Sequence, residues 1–310
     1  MTRKHKKHIL VVCHDAGAGQ LISAYVKKHA RTIRFHCLVL GPAKKIFKRK
    51  GLSRLIVSKQ KGAALLNERT VSTVVCGTSW VSHLEREVIQ RARAKDVKSV
   101  VYLDHWTNYK ERFGYPRRDW QMNMPDELWV GDKHAFKLAK QYFKSNVIKV
   151  VPNAYFQEVK AAYRVVRNSD KSKGTDILFM SEPTMLAHKT FYEAGYEYDE
   201  ADVLKKVLDY LSKKSVQNTI IICYHPAEKR DKYSALLVRY GRKLHFRKQD
   251  KNILKDFARA KLVIGRRSMA LALAALCGRR VVSFIPDKKV AFPLPFREII
   301  KIRGIKRLKI

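Results

Sequence analysis

Residues 8–19 read HILVVCHDAGAG. The first half is a short apolar run rich in β-branched side chains, the composition of a buried strand. His14 and Asp15 break the run, and Gly17 and Gly19 permit a tight turn and close backbone approach. A helical pattern follows over 17–30. The unit is strand, polar turn, helix, and it repeats. Further strands are expected over 35–40, 71–76, 99–103, 127–130 and 147–151, with helices over 81–93 and 135–143. The polar stretch NSDKSKG at 168–174 has the composition of a linker. The alternation then restarts, with strands over 176–180, 219–224, 243–247, 262–264 and 280–285. Helical patterns cover 200–213, 232–240, 251–260 and 268–277. Short strands alternating with helices predict parallel sheets covered on both faces. The expected fold class is α/β, with two Rossmann-like domains, 1–167 and 168–310, whose parallel sheets face a central cleft.

The composition bounds the function classes. The chain has 310 residues, 46% of them hydrophobic, which suits two domains with real cores and excludes a disordered basic tail. Lys and Arg number 65 against 27 Asp and Glu, a net charge of +38. Such a charge attracts nucleic acid, an anionic membrane surface or an anionic substrate; a generally basic proteome would also produce it. Nucleic-acid binding lacks an RNP, KH, zinc-finger or helix-turn-helix signature. Cys13, Cys37, Cys76, Cys223 and Cys277 sit in or beside apolar runs without CxxC spacing, as buried reduced thiols do. The apolar run after the basic N-terminus is too short for a signal sequence, and residues 269–277 are too few for a membrane span. A cytoplasmic protein is expected.

In open α/β sheets ligands bind at the carboxyl ends of strands, so the residues following strands matter most. His14, Asp15, Gly17 and Gly19 form the first such turn; the alternative is that Asp15 only caps the helix. Gly77-Thr78-Ser79-Trp80 is the second. The third, Asp104 to Phe113, packs Asp104, His105, Trp106, Asn108, Tyr109 and Arg112 into one loop. That mixture suits a site that stacks a ring and holds hydroxyls or charges; otherwise Trp106 and Phe113 anchor a surface loop. In the fourth, Pro226 fixes the turn after His225, a phosphate partner. In the fifth, Arg266, Arg267 and Ser268 open a helix, a good anion site. Glu182 follows another strand and suits a ribose or a lysine.

These motifs resemble something known. HP-x-E-K-x-x-K-Y, G-x-x-S-M-A-L-x-x-A-x-x-G and V-S-F-x-P look like the nucleotide-sugar half of GT-B glycosyltransferases, closest to capsule and surface-polysaccharide enzymes of the bacterial sialyltransferase and polysialyltransferase type. HDAGAG, LGPAKKIF, GTSW and LDHWTNYKERF resemble proteins of bacterial polysaccharide loci. The resemblance implies that His225 and Ser268 contact the donor phosphate and that the general base lies in the N-terminal half, where Asp15 matches by position.

The expected activity is metal-independent transfer of a sugar from a CMP-, CDP- or UDP-linked donor to a polysaccharide or glycolipid acceptor. His225, Arg266, Arg267, Ser268, Glu182, Gly17 and Gly19 are expected on the donor side. Trp106, Asn108, Tyr109, Arg112, Thr78 and Ser79 are expected on the acceptor side. Asp15 is the expected base, with His14, Asp104 and His105 as rivals. No cofactor beyond the nucleotide-sugar is expected. Residues 43–62 and 296–310 interleave Lys and Arg with Ile46, Phe47, Leu52, Ile56 and further isoleucines. This suits peripheral attachment to an anionic membrane face, or simply a solvated helix face. Alternatives are a nucleotide-sugar 2-epimerase or polyol-phosphate transferase of the same fold, a basic nucleic-acid-binding protein, and a non-catalytic scaffold. An epimerase needs paired acids and a His around one sugar, and the sequence shows no convincing pair.

Overall fold

The computed structural model describes residues 7–79, 82–170, 174–183, 197–225 and 228–310. Trp80, Pro226 and part of the 168–174 stretch lie outside them. The chain divides into two compact units, Met1–Glu158 and Val159–Ile310.

The first unit runs β1 (Lys7–Cys13), α1 (Ala16–His29), β2 (Ile33–Val39), α2 (Gly41–Arg49), α3 (Lys59–Asn67), β3 (Thr73–Cys76), α4 (Leu84–Ala94), β4 (Lys98–Leu103), β5 (Glu127–Val130), α5 (Lys133–Tyr142) and β6 (Val147–Val150). The strands form one parallel sheet in the order β2-β1-β3-β4-β5-β6. In register, Leu10 stands opposite His36 on one side and Val74 on the other. Residues Leu10 to Cys13 are fully buried, as a central strand with both faces covered must be. The unit division falls inside α6 (Ala154–Ser169).

The second unit continues with β7 (Asp176–Met180), α7 (Glu200–Lys213), β8 (Thr219–Cys223), α8 (Ser234–Tyr240), β9 (His245–Phe246), α9 (Ile253–Arg259), β10 (Ala260–Gly265), α10 (Met269–Leu276), β11 (Val281–Phe284) and β12 (Ile299–Ile302). Its parallel sheet has the order β12-β11-β10-β7-β8-β9. Numbered from β7, this is the Rossmann order 3-2-1-4-5-6. The first sheet instead has the 2-1-3-4-5 order of the flavodoxin-like arrangement, extended by one strand. The strand order therefore reverses between β1 and β3 in one unit and between β7 and β10 in the other.

The structure bears out the α/β reading of both halves, and every strand expected from the sequence is present. It also contains α2, α3, α6 and β12, which the sequence pattern did not single out. In α2, Ala43, Ile46 and Phe47 are spaced i, i+3, i+4 and are 0%, 4% and 0% exposed. Ala43 and Phe47 pack into the first unit's core with Leu52. Ile302 and Leu308 of the C-terminal segment join the second unit's core. This corrects the amphipathic membrane reading of both basic segments. Most of their apolar side chains hold α2 and the edge strand β12 to the sheets, with Ile300 exposed, and the outward faces are mainly lysine and arginine. The five cysteines are buried and reduced. Burial pushes the Cys37 thiol up to about 12, which leaves it inert.

Phe47→Ala should lower the unfolding free energy by ~3–5 kcal/mol through the cavity it leaves. Lys44→Ala, on the exposed side of the same helix, should stay within ~0.5 kcal/mol of the parent. Urea titration of both variants checks this.

Candidate functional site

At the β1–β3 reversal three strand ends meet. Asp15 precedes α1, yet its side chain makes no cap hydrogen bond to that helix. Instead Asp15 Oδ1 accepts from Ser79 Oγ (2.8 Å) and lies 2.8 Å from His14 Nδ1. An ionised carboxylate can only accept, so Nδ1 carries the proton and Nε2 is left as the basic nitrogen. Both side chains are 20% exposed, open to a ligand but partly desolvated. Ser79 is fixed in turn by the Ser82 N–H (3.0 Å).

Asp104 follows β4 and joins the same group. Its Oδ1 accepts from Arg112 Nη1 (2.5 Å) and Thr78 Oγ1 (3.2 Å). Arg112 also donates to Thr78 Oγ1 (2.5 Å) and to the Thr107 carbonyl (3.2 Å). A Cβ on residue 17 would lie 2.3 Å from Asp104 Oδ2. Gly17 thus leaves room for that carboxylate above the start of α1. Gly19 has another purpose, because a Cβ there would press on Ala43 at 3.0 Å. Gly19 lets α1 and α2 pack closely and is buried, which corrects its expected place beside a phosphate.

The 104–113 loop divides in two. Trp106 is 5% exposed and donates to Asp132 Oδ2 (2.8 Å), the carboxylate that also caps α5 through the Ala135 N–H. Tyr109 is 1% exposed and stacks on Phe143. Both expected acceptor platforms are buried anchors, because their ring faces are occupied by protein. Arg112 is likewise buried, its charge set against Asp104. Thr78 and Ser79 are buried too and orient carboxylates. Asp104, His105, Thr107 and Asn108 remain half-buried. His105 Nδ1 lies 3.1 Å from Thr107 Oγ1, and Asn108 takes the left-handed conformation, with φ of 56°, that turns the loop.

One acid in this group has no counterpart among the expected residues. Glu85, in the first turn of α4, is 3% exposed, and its Oε1 accepts the His14 N–H (2.8 Å). Burial pushes its carboxyl up to about 7; Asp15 adds to the rise and the His14 N–H opposes it. The spacing contained a signal. Glu85, Val88, Ile89 and Ala92 share the buried face of α4, so an acid on that face cannot be a surface charge.

The second unit gathers its residues at the ends of β7, β8 and β10. Ser181 Oγ donates to Glu228 Oε1 (2.9 Å), and the His225 N–H donates to Glu228 Oε2 (2.8 Å). Lys232 pairs with Glu228 (2.7 Å) and with Glu200. Burial alone raises the Glu228 carboxyl, but Lys232, the His225 N–H and Ser181 outweigh it and hold it below its ordinary range. His225 reaches solvent, yet the surrounding chain desolvates its ring enough to lower its pKa, with Glu228 and Glu182 pulling the other way. Glu228, inside the motif but given no role from sequence, is thus the organiser of this strand end.

Arg267 and Glu182, expected on phosphate and ribose, hold each other. The Arg267 N–H and Nε reach the two Glu182 oxygens at 3.0 and 3.1 Å. Ser268 caps α10 by accepting the Ala270 N–H (3.2 Å). Arg266 departs from expectation. It is 2% exposed and donates to Asp287 Oδ2 (2.7 Å) and to the Tyr198 carbonyl (2.9 Å). Its guanidinium serves a buried ion pair, and Asp287, in the turn after β11, is the partner that sequence reading did not find. Among the described residues, no group of three or more His, Cys, Asp or Glu is arranged to hold a metal ion.

Arg266→Ala would leave Asp287 buried without its cation, at a cost of ~3–5 kcal/mol. Arg267→Ala, at a more open pair, should cost ~1 kcal/mol or less. Thermal unfolding of the two variants separates the structural arginine from the one at the strand end.

No protein-family model matches the chain, and no curated protein matches it in sequence. Solved structures do match. The UDP-GlcNAc 2-epimerase of Methanocaldococcus jannaschii superposes with a TM-score of 0.64 over 95% of this chain and 88% of its own, at 11% identity. The Neisseria meningitidis UDP-GlcNAc 2-epimerase bound to UDP-GlcNAc gives 0.59 over 89% and 82%, at 7% identity. A glycosyltransferase from Rickettsia africae gives 0.57 over 90% and 79%, at 10% identity. Taken with the two six-stranded parallel sheets, this likeness shows that the chain has the two-Rossmann-domain, GT-B-like fold of those enzymes.

Proposed function

We propose that the chain is an enzyme acting on a nucleotide-linked sugar, with proton transfer by the first unit and nucleotide binding by the second. The supporting observation is the convergence of His14, Asp15 and Asp104 at the ends of β1 and β4, beside the reversal between β1 and β3. Asp15 fixes the His14 ring and leaves Nε2 to take or return a proton, the division of labour seen in Asp–His pairs generally. Asp104, with Arg112 and Thr78 on one oxygen, offers its other oxygen over the open backbone of Gly17. His225 and the α10 start at Ser268 are the donor-phosphate residues in this proposal, since helix N–H groups favour an anion. Their N–H dipoles meet the developing charge on a leaving nucleotide without requiring a metal.

Two reactions fit. In glycosyl transfer one base, Asp15 or His14, deprotonates an acceptor hydroxyl of a glycan or glycolipid. In 2-epimerisation a C–H centre is inverted, so one group removes a proton and another returns it. The latter reading gains from a specific finding. Asp15, Asp104 and His14, singled out separately in the sequence, lie near one another at the ends of β1 and β4, and this supports the two acids and a His that an epimerase needs. The epimerases of like fold, one of them bound to UDP-GlcNAc, support it equally.

Incubation with UDP-GlcNAc in D2O discriminates. Epimerisation gives an isomeric sugar carrying solvent deuterium without any acceptor. Glycosyl transfer gives acceptor-dependent release of nucleotide and no deuterium in the sugar. Asp15→Asn and Asp104→Asn should each cut turnover by ~10²–10⁴-fold. Full turnover in both, or no binding of any nucleotide-sugar, would sink the reading.

Attachment to an anionic membrane is proposed on charge alone. Lys44, Lys45, Lys48, Arg49, Arg54, Lys59 and Lys61 are all exposed. Without insertion of apolar side chains, binding to phosphatidylserine vesicles should fall steeply between low and physiological salt. No co-sedimentation at low salt counts against it, and preferential capture of nucleic acid would transfer the charge to that partner.

A further inference from the structure

Glu85 is more than a tie between α4 and the end of β1. Holding the His14 N–H needs only Oε1, and a glutamine would do that as well. Oε2 is also buried, and among the described residues it has no hydrogen-bond partner. Bare buried carboxyl oxygens are costly unless something occupies the space beside them. Here Glu85 lines a crevice with Thr78, Ser79, Ser82, Arg86 and Arg112, and the crevice has room for about one water molecule.

The groups facing Glu85 fix its behaviour. From the β1 side come Cys13, His14 and Asp15, and from β3 comes Cys76. Arg86 adjoins it on α4, and Arg112, committed to Asp104, borders the crevice. The thiols of Cys13 and Cys76 are pushed well up by burial and stay neutral. Burial is also the main influence on Glu85, and Asp15 acts in the same direction.

We propose that Glu85 holds a proton which it exchanges with Asp15 through a water in this crevice and the Ser79 hydroxyl, making it a positioning residue for the His14–Asp15 pair. The role rests on the proton-transfer function proposed above for that pair. In the exchange, Glu85 Oε2–H gives its proton to the water. The water passes one of its own to Ser79 Oγ, and Ser79 passes its hydroxyl proton to Asp15 Oδ1, the atom it already touches at 2.8 Å. One O–H bond breaks on Glu85 and one forms on Asp15. Water and serine are regenerated, and the negative charge moves from Asp15 to Glu85. The sign of the pH effect follows. At lower pH Glu85 is neutral. As pH rises through about 7 it ionises, a second negative charge appears behind His14, and protonated His14 is favoured.

The test is an NMR titration of His14 in the full chain carrying labelled histidine, from about pH 5 to about pH 9. The wild type should show two inflections for His14. Glu85→Gln, which keeps the acceptor for the His14 N–H, should lose one and move the remaining midpoint to lower pH. Superimposable curves would overturn the proposal. In parallel, Glu85→Gln should remove the limb near neutrality from the pH dependence of kcat for UDP-GlcNAc and leave KM unchanged. Turnover with an unaltered pH profile and superimposable curves means that the functional reading stands and the proton site does not. Loss of the inflection in a protein that turns over no nucleotide-sugar means the reverse. Should Glu85→Gln fail to fold, the infrared spectrum of the wild type decides. A carboxylic-acid band that converts to carboxylate near neutral pH supports the site, and carboxylate alone throughout overturns it.

Discussion

The reversal of strand order between β1 and β3 is the constraint on which the first unit's candidate site depends. Each parallel connection leaves its strand at the carboxyl end and crosses over one face of the sheet. Where successive connections leave in opposite directions, neighbouring strand ends are not covered by the same crossover. Asp15 and Ser79 follow the two strands at that point, and Asp104 follows the next strand along. Residues separated by as many as 89 positions, from Asp15 to Asp104, are brought to one side of α1. Gly17 completes the arrangement by leaving the volume of a side chain to a carboxylate.

Charge gives the acids a meaning they would lack in an ordinary protein. Only 27 residues are Asp or Glu against 65 Lys and Arg, so a carboxylate can find a cation almost anywhere on the surface. The buried and half-buried ones are therefore informative. Asp104 takes Arg112, Asp287 takes Arg266, Glu182 takes Arg267 and Glu228 takes Lys232. Each pair fixes a strand end or the segment leaving it. Among the described residues, Glu85 is within ion-pair distance of no Lys or Arg despite that excess. A carboxyl left without an ion pair in such a basic chain is one whose proton affinity burial keeps high.

The fold was legible because its strands are short, apolar and punctuated. Residues 127–130 and 176–180 needed no tertiary information, since short apolar runs between polar turns have few other solutions. The parts that escaped were those where lysine obscures the pattern. In α2 the buried face is Ala43, Ile46 and Phe47, with cations at almost every other position, so the period was read as a surface feature. In β12 the burial pattern is in, out, out, in, without the alternation that identifies a strand. At the site, identity and position singled out Asp15, His14 and Asp104, which the fold brings to one side of α1. Direction was not legible. Trp106 and Tyr109 have the composition of a ligand platform, but aromatic anchors have the same composition.

Arg266 and Arg267 show why direction decides function at a strand end. They are adjacent, chemically identical and follow the same strand. The chain bends as it leaves β10, and the two side chains are sent to different partners. Arg266 turns into the protein and meets Asp287, whose other oxygen holds the backbone N–H groups of Glu197 and Tyr198. Arg267 turns the other way, to Glu182 at the end of β7. A shift of one residue would bury Arg267 and release Arg266, and each carboxylate would then face the wrong partner. Asp287 therefore fixes the register of the turn, and through it the side on which Arg267, Glu182 and the Ser268 cap of α10 are presented.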